Sequence, residues 1–91
     1  MKIHEVKLAK EYTEAVLSGE KNFEVRYNDR GYQKGDCLKF IVVEGALALT
    51  AISQPFKDKL YEITYVHSGL GLKENYVVLG IKEEQKDAEI H

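Results

Sequence analysis

Between residues 22 and 27 apolar and polar side chains alternate, Phe23 and Val25 against Glu24 and Arg26. That is the period of a half-buried strand. It predicts that Phe23 and Val25 enter the core while Glu24 and Arg26 share the polar face. A second alternation, His4, Val6 and Leu8 against Ile3, Glu5 and Lys7, predicts a strand over 3–8, and Leu60 to Val66 alternates in the same way. Residues 37–43 form a strongly apolar strand with Lys39 its one charge, and 75–82 a final strand. Residues 9–18 have a different period: Tyr12 and Val16 lie four apart, and Ala9, Ala15 and Leu17 widen the apolar side. This is a helix, and Gly19 stands where a left-handed C-terminal cap ends it. For 44–58 periodicity leaves a helical turn, a strand extension and a covering loop equally open, with Pro55 in the loop that follows the apolar run.

These elements predict an α+β fold of about five strands with one main helix joining the first two. So small a sheet hides its edges by closure or by a cover, which predicts a small β-barrel capped by the helix. The 91 residues suffice for one domain. It is placed at 1–82, with 83–91 as a charged tail poor in apolar groups.

At 44% hydrophobic and 31% charged, the composition is that of a soluble globular protein. The longest apolar run, over 45–52, falls far short of the ~20 residues of a membrane helix, and no signal peptide is read at the N-terminus. One cysteine, Cys37, has no partner for an internal disulfide, which fits a reducing cytoplasm. The net charge of −2 is unevenly spread. The last nine residues hold four carboxylates against Lys86, a charge of −3, leaving 12 basic and 11 acidic side chains, or +1, on residues 1–82. The basic footprint of a non-specific nucleic-acid binder is absent, so such a role requires a local cleft.

The candidate chemistry gathers at Lys21, Glu24, Arg26 and Arg30, around one strand and its following turn. Lys21 can neutralise a phosphate or, desolvated, act as base or nucleophile; its bland alternative is a solvated lysine. Glu24 can serve as a general base or accept from a nucleobase amine, or it can simply pair with Arg26. Arg26 can clamp a phosphate, and Arg30 reads first as a solvated turn residue. Of six tyrosines, one or two can stack on a base, Tyr65 and Tyr76 being the candidates, and most are core or rim. Lone His4 and His67 are more often packing residues than catalysts, and Cys37 heads an apolar run as a core residue. No histidine or cysteine pair has metal-ligand spacing, so neither metal nor cofactor is expected. Ser68-Gly-Leu-Gly-Leu lacks the lysine and spacing of a phosphate loop.

Gly19, Lys21, Glu24 and Arg26 fill the pattern Gly-x-Lys-x-x-Glu-x-Arg, which resembles the hallmark of ASCH domains. Lys2-Ile-His-Glu, the Asn28-Asp29-Arg30 turn, Gly35-Asp36, Gly69-Leu-Gly-Leu and Tyr76-Val-Val-Leu-Gly extend the likeness to a small prokaryotic and phage subfamily, the DUF3850 type. The resemblance implies a PUA-like barrel with a helix beside a cleft, RNA as ligand, and Lys21, Glu24 and Arg26 as cleft residues. One ASCH branch hydrolyses N4-acetylcytidine with a lysine, a threonine and a glutamate. Lys21 matches that lysine, but Glu24 stands at the threonine position, and Glu74 answers to the second glutamate by position alone. The leading expectation is an RNA- or nucleotide-binding domain working through a charged cleft. The alternative is a hydrolase of modified nucleosides or RNA using Lys21 and Glu24, and a protein partner is a third reading.

Overall fold

The computed structural model describes residues 1–44 and 54–84. Five strands form one sheet: β1 (Ile3–Ala9), β2 (Phe23–Tyr27), β3 (Cys37–Val43), β4 (Tyr61–Ser68) and β5 (Tyr76–Glu83). Their spatial order is β1-β3-β4-β5-β2. β1 pairs parallel with β3, from Ile3 opposite Cys37 to Ala9 opposite Val43, and the other ladders are antiparallel. β1 and β2, neighbours in sequence, are thus the two edges of the sheet. Between them run a 3-10 turn (Lys10–Tyr12) and the six-residue helix α1 (Thr13–Ser18).

That connection bends the sheet around its core. Arg26 on one edge strand donates from Nη1 to the Lys7 carbonyl on the other at 3.2 Å, so opposite ends of the strand order meet. No ladder joins β1 to β2 among the described residues, and the expected barrel is corrected to a curled sheet with an open seam. A side chain bridges the seam where closure would require backbone pairing, and a lone guanidinium bond leaves a gap beside it.

The core fills the inside of the curl. Val6 and Leu8 of β1, Leu38, Phe40 and Val42 of β3, Ile63 of β4, and Val77, Leu79 and Ile81 of β5 are buried. Phe40, Phe56 and Tyr61 pack with ring centroids 5.4–5.8 Å apart, in the tilted and edge-to-face geometries that aromatic rings favour. From α1 only Val16 is buried. Gly19 ends the helix as expected, at φ 84°, with its N–H on the Val16 carbonyl at 3.1 Å. The Lys21 N–H then reaches back to the Ala15 carbonyl at 2.9 Å. These two bonds satisfy the helix end and deliver Lys21 to the start of β2.

Of the segment left open by periodicity, 45–53 lies outside the described residues, while Pro55 begins a turn that buries Phe56 completely. β5 includes Glu83, and the Glu84 N–H bonds the Leu60 carbonyl at 2.8 Å; the remainder of the expected tail, 85–91, lies outside the described residues. No helix among the described residues is long and apolar enough to cross a membrane.

Candidate functional site at the open seam

β2 departs from its expected orientation. Glu24 is 4% exposed, whereas Phe23 and Val25 are 43% and 54% exposed. The alternation is real, but the faces are exchanged: the charged positions point into the curl and the apolar ones point out. A strand in the middle of a sheet could not tolerate this. β2 is an edge at the seam, and its inward charges are compensated there.

The compensation is a three-residue ion cluster. Lys21 Nζ donates to Glu24 Oε2 at 2.6 Å, and Arg26 Nη1 donates to Glu24 Oε1 at 3.0 Å. Each carboxylate oxygen therefore carries one cationic donor, as a buried charge requires. Lys21 Nζ also donates to the Phe23 carbonyl at 2.9 Å, and sits 5.1 Å from the Tyr12 ring centroid and 5.0 Å from that of Phe23. Cation–π attraction and the carboxylate together hold the ammonium at the seam. Two of its three protons are committed, and one is left for a ligand.

The cluster forms one wall of a cleft of about 440 Å³, opposite Lys7, Leu8 and Ala9 of β1. Tyr12, Phe23 and Val25 supply its apolar surface. Its volume lies within the ~300–1,000 Å³ of small-ligand pockets. Two cations on one carboxylate leave the cluster with a charge of +1, and Lys7 adds another, so the cleft suits an anion with an aromatic or apolar body. With both oxygens engaged, Glu24 is better placed to anchor the two cations than to take a proton from a substrate.

The other expected site residues are only partly gathered here. Arg30 is exposed, 3.9 Å from Asp29, with its charge felt at Tyr32. Burial pushes the Tyr32 phenol up, against the opposing pull of Arg26 and Arg30. Tyr65, 65% exposed on β4, does not line the cleft. Tyr76 packs edge-on against Tyr27 at 5.5 Å and lines a separate hollow with the Gly69 loop and Glu74. The aromatics at the cleft are instead Tyr12 and Phe23. Helix periodicity assigned Tyr12 to packing, and strand alternation assigned Phe23 to the core; only their nearness to Lys21 in sequence pointed here.

His4 and Asp36 form a second polar cluster, which the sequence reading left unpaired. His4 Nε2 donates to Asp36 Oδ2 at 2.9 Å, and both residues are buried. Asp36 also accepts the backbone N–H of Lys2 at 3.1 Å and of Gln33 at 3.2 Å, and the Tyr32 ring lies edge-on to His4 at 4.9 Å. The His4 hydrogen bond, then those backbone donors, hold the Asp36 carboxyl below its ordinary value despite burial. The group pins the start of β1 to the turn before β3. His67, near the end of β4, is tied through Nε2 to the Leu70 carbonyl at 2.9 Å in the turn that follows. Cys37 is buried as expected, and burial, reinforced by Glu84, Glu62 and Asp36, raises its thiol. Among the described residues no group of histidine, cysteine or acidic side chains is arranged to hold a metal ion. A larger groove of about 600 Å³ is lined by Gln54, Lys57, Lys59 and Glu84 among others.

Over 37 residues the chain is 54% identical to an uncharacterized 12.9 kDa protein in the GpA 3' region of Escherichia phage P2. That match covers 41% of this chain and 34% of the phage protein, about a third of the relative's length. The family model described as a domain of unknown function, DUF3850, matches residues 3–81. It runs from the first residue of β1 into β5 and takes in all three members of the ion cluster, so the chain belongs to the DUF3850 family.

Proposed function

We propose that this chain is an ASCH-type, PUA-like domain that binds RNA or a nucleotide in the seam cleft, in a cytoplasmic setting. The observation that carries the reading is the Lys21–Glu24–Arg26 cluster, a fixed pair of cations beside the Tyr12 and Phe23 rings. Phosphate meets the free Lys21 proton and the guanidinium; a base meets the aromatic rim. The curled sheet with a helix beside its opening supports the PUA-like assignment. Glu24 works as the anchor of the two cations, which favours binding over hydrolysis.

An amide chemical-shift titration tests this, using short single-stranded and hairpin RNAs, nucleoside monophosphates and N4-acetylcytidine at one moderate salt concentration. Binding is expected to move Lys7, Tyr12, Lys21, Glu24 and Arg26 together. Affinity for single strands should fall with salt, with a log–log slope of about −0.7 per phosphate contacted. Deacetylated product from the nucleoside would make the chain a hydrolase instead. Silence at the cleft with every ligand would leave the cluster a structural ion pair and turn attention to protein partners.

A further inference from the structure

Lys21 is the partition between two cavities. One is the seam cleft; the other, of about 480 Å³, lies behind the C-terminal end of α1 and is walled by Val16, Leu17 and Ile81. Asn22, Thr64 and Lys82 add polar groups to this second cavity. Its carboxylate, Glu83, is engaged by Lys59 at 2.9 Å, so the charge offered to a ligand comes from Lys82, with Lys21 adding the one proton that Glu24 and the Phe23 carbonyl leave uncommitted.

Tyr61 also lines this cavity, and its side chain carries an anomaly. The residue is 4% exposed, and its buried hydroxyl has no hydrogen-bond partner. The ring is fixed between Phe40 and Phe56, at 5.4 and 5.8 Å, so the hydroxyl cannot swing away to find one. Unpaired buried hydroxyls are uncommon in native proteins and call for an explanation. Burial raises the phenol, so at neutral pH it remains a hydrogen-bond donor.

Resting on the RNA reading above, we propose that the site takes two consecutive nucleotides. The phosphodiester linking them lies on Lys21, one nucleoside occupies the seam cleft, and the next enters the second cavity to meet the Tyr61 and Thr64 hydroxyls. Each cavity is near the small end of the ligand-pocket range, which suits one nucleoside apiece. Lys21 keeps one ammonium proton uncommitted where the two cavities share it, and a phosphate bridging them can accept that proton. Lys82, at the rim of the second cavity, takes the phosphate that follows.

The test compares the affinities of the full-length chain for a nucleoside 5′-monophosphate and for the corresponding 5′-phosphorylated dinucleotide, at one salt concentration, by calorimetry. The dinucleotide is expected to bind at least ~10-fold tighter. Leu17→Trp, which fills the second cavity from a half-exposed helix position, should collapse the ratio of the two affinities towards one. Tyr61→Phe keeps the ring and removes the hydroxyl, and should cut the ratio by about 5-fold, the worth of one hydrogen bond. Equal affinities for the two ligands, or a ratio untouched by both variants, would overturn the two-nucleotide site while leaving nucleotide binding at the cleft intact. If neither ligand bound the wild-type chain, the RNA reading would fall, and this inference with it.

Discussion

Replacing Glu24 by alanine removes the anion that holds Lys21 and Arg26 at the seam. The carboxylate side chain is 5% exposed, and its two bonds, at 2.6 and 3.0 Å, are both to charged donors. A hydrogen bond to a charged group is worth about 1.5–3 kcal/mol net. Two of them give roughly 3–6 kcal/mol, which overlaps the ~3–5 kcal/mol lost when one partner of a buried ion pair is deleted. The two cations are 18% and 23% exposed, so water compensates them in part and the lower end of the range applies. At ~4–8 °C per kcal/mol for a domain of this size, the melting temperature should drop by at least ~12 °C. Urea unfolding followed by far-UV circular dichroism measures the free-energy loss, and a thermal scan the melting temperature, with Glu20→Ala as the exposed neighbour expected to stay within ~0.5 kcal/mol. Had β2 faced the way its hydrophobic alternation suggests, Glu24→Ala would cost no more than Glu20→Ala. A loss below ~1 kcal/mol would therefore refute the buried cluster and, with it, the orientation of the whole strand.

The same strand supplies the converse test: Val25→Lys, at a position 54% exposed, should cost under ~1 kcal/mol, whereas Leu79→Ala on the neighbouring strand, fully buried, should cost ~2–5 kcal/mol in the same titration. Gly19→Ala meets open space but must hold φ near 84°, so a loss of about 1 kcal/mol is expected in the same urea titration. For pH, the Asp36 carboxyl has its folded value lowered, first by His4. The stability it contributes is therefore complete above about pH 4, the ordinary carboxylate value, and is lost as pH falls through the lower folded value. The difference in unfolding free energy between wild type and Asp36→Asn should be constant at pH 5–6 and shrink steadily below ~4; a pH-independent difference would show that the carboxylate is not the group being held.

Element positions were readable because they rest on short-range rules. The period of two over β1 and β4, the apolar run of β3, the four-residue spacing of Tyr12 and Val16, and the glycine at 19 each act within a few residues; the strands appear where they are expected, while the helix expected over 9–18 is a 3-10 turn followed by the six residues Thr13–Ser18, with Ala9 ending β1. Gathering Lys21, Glu24 and Arg26 as candidates was equally local. Which way β2 faces was not. Phe23 and Val25 are the more apolar pair, and alternation alone assigns them to the core; the decision depends on β2 being an edge strand and on two cations arriving to neutralise Glu24. Those are facts of strand order, and strand order here puts sequence neighbours β1 and β2 at opposite ends of the sheet. Tyr65 and Tyr76 were misplaced relative to the cleft for the same reason, since nothing in their local pattern says which strands flank the seam. The His4–Asp36 pair joins residues 32 apart in the chain, and its trace in the sequence is a histidine at an inward position and an aspartate beside an apolar strand.

The seam itself has a mechanical consequence. A barrel closed by a backbone ladder has a fixed circumference, because widening it means peeling a strand away. Here the two margins of the sheet are fastened by one clasp, the Arg26 guanidinium on the Lys7 carbonyl at 3.2 Å, and no ladder resists their separation among the described residues. What resists a change of girth is therefore the shared core, in which Val6 and Leu8 of β1 pack in one cluster with Val77 and Leu79 of β5, and the Arg26 bond, rather than a backbone ladder.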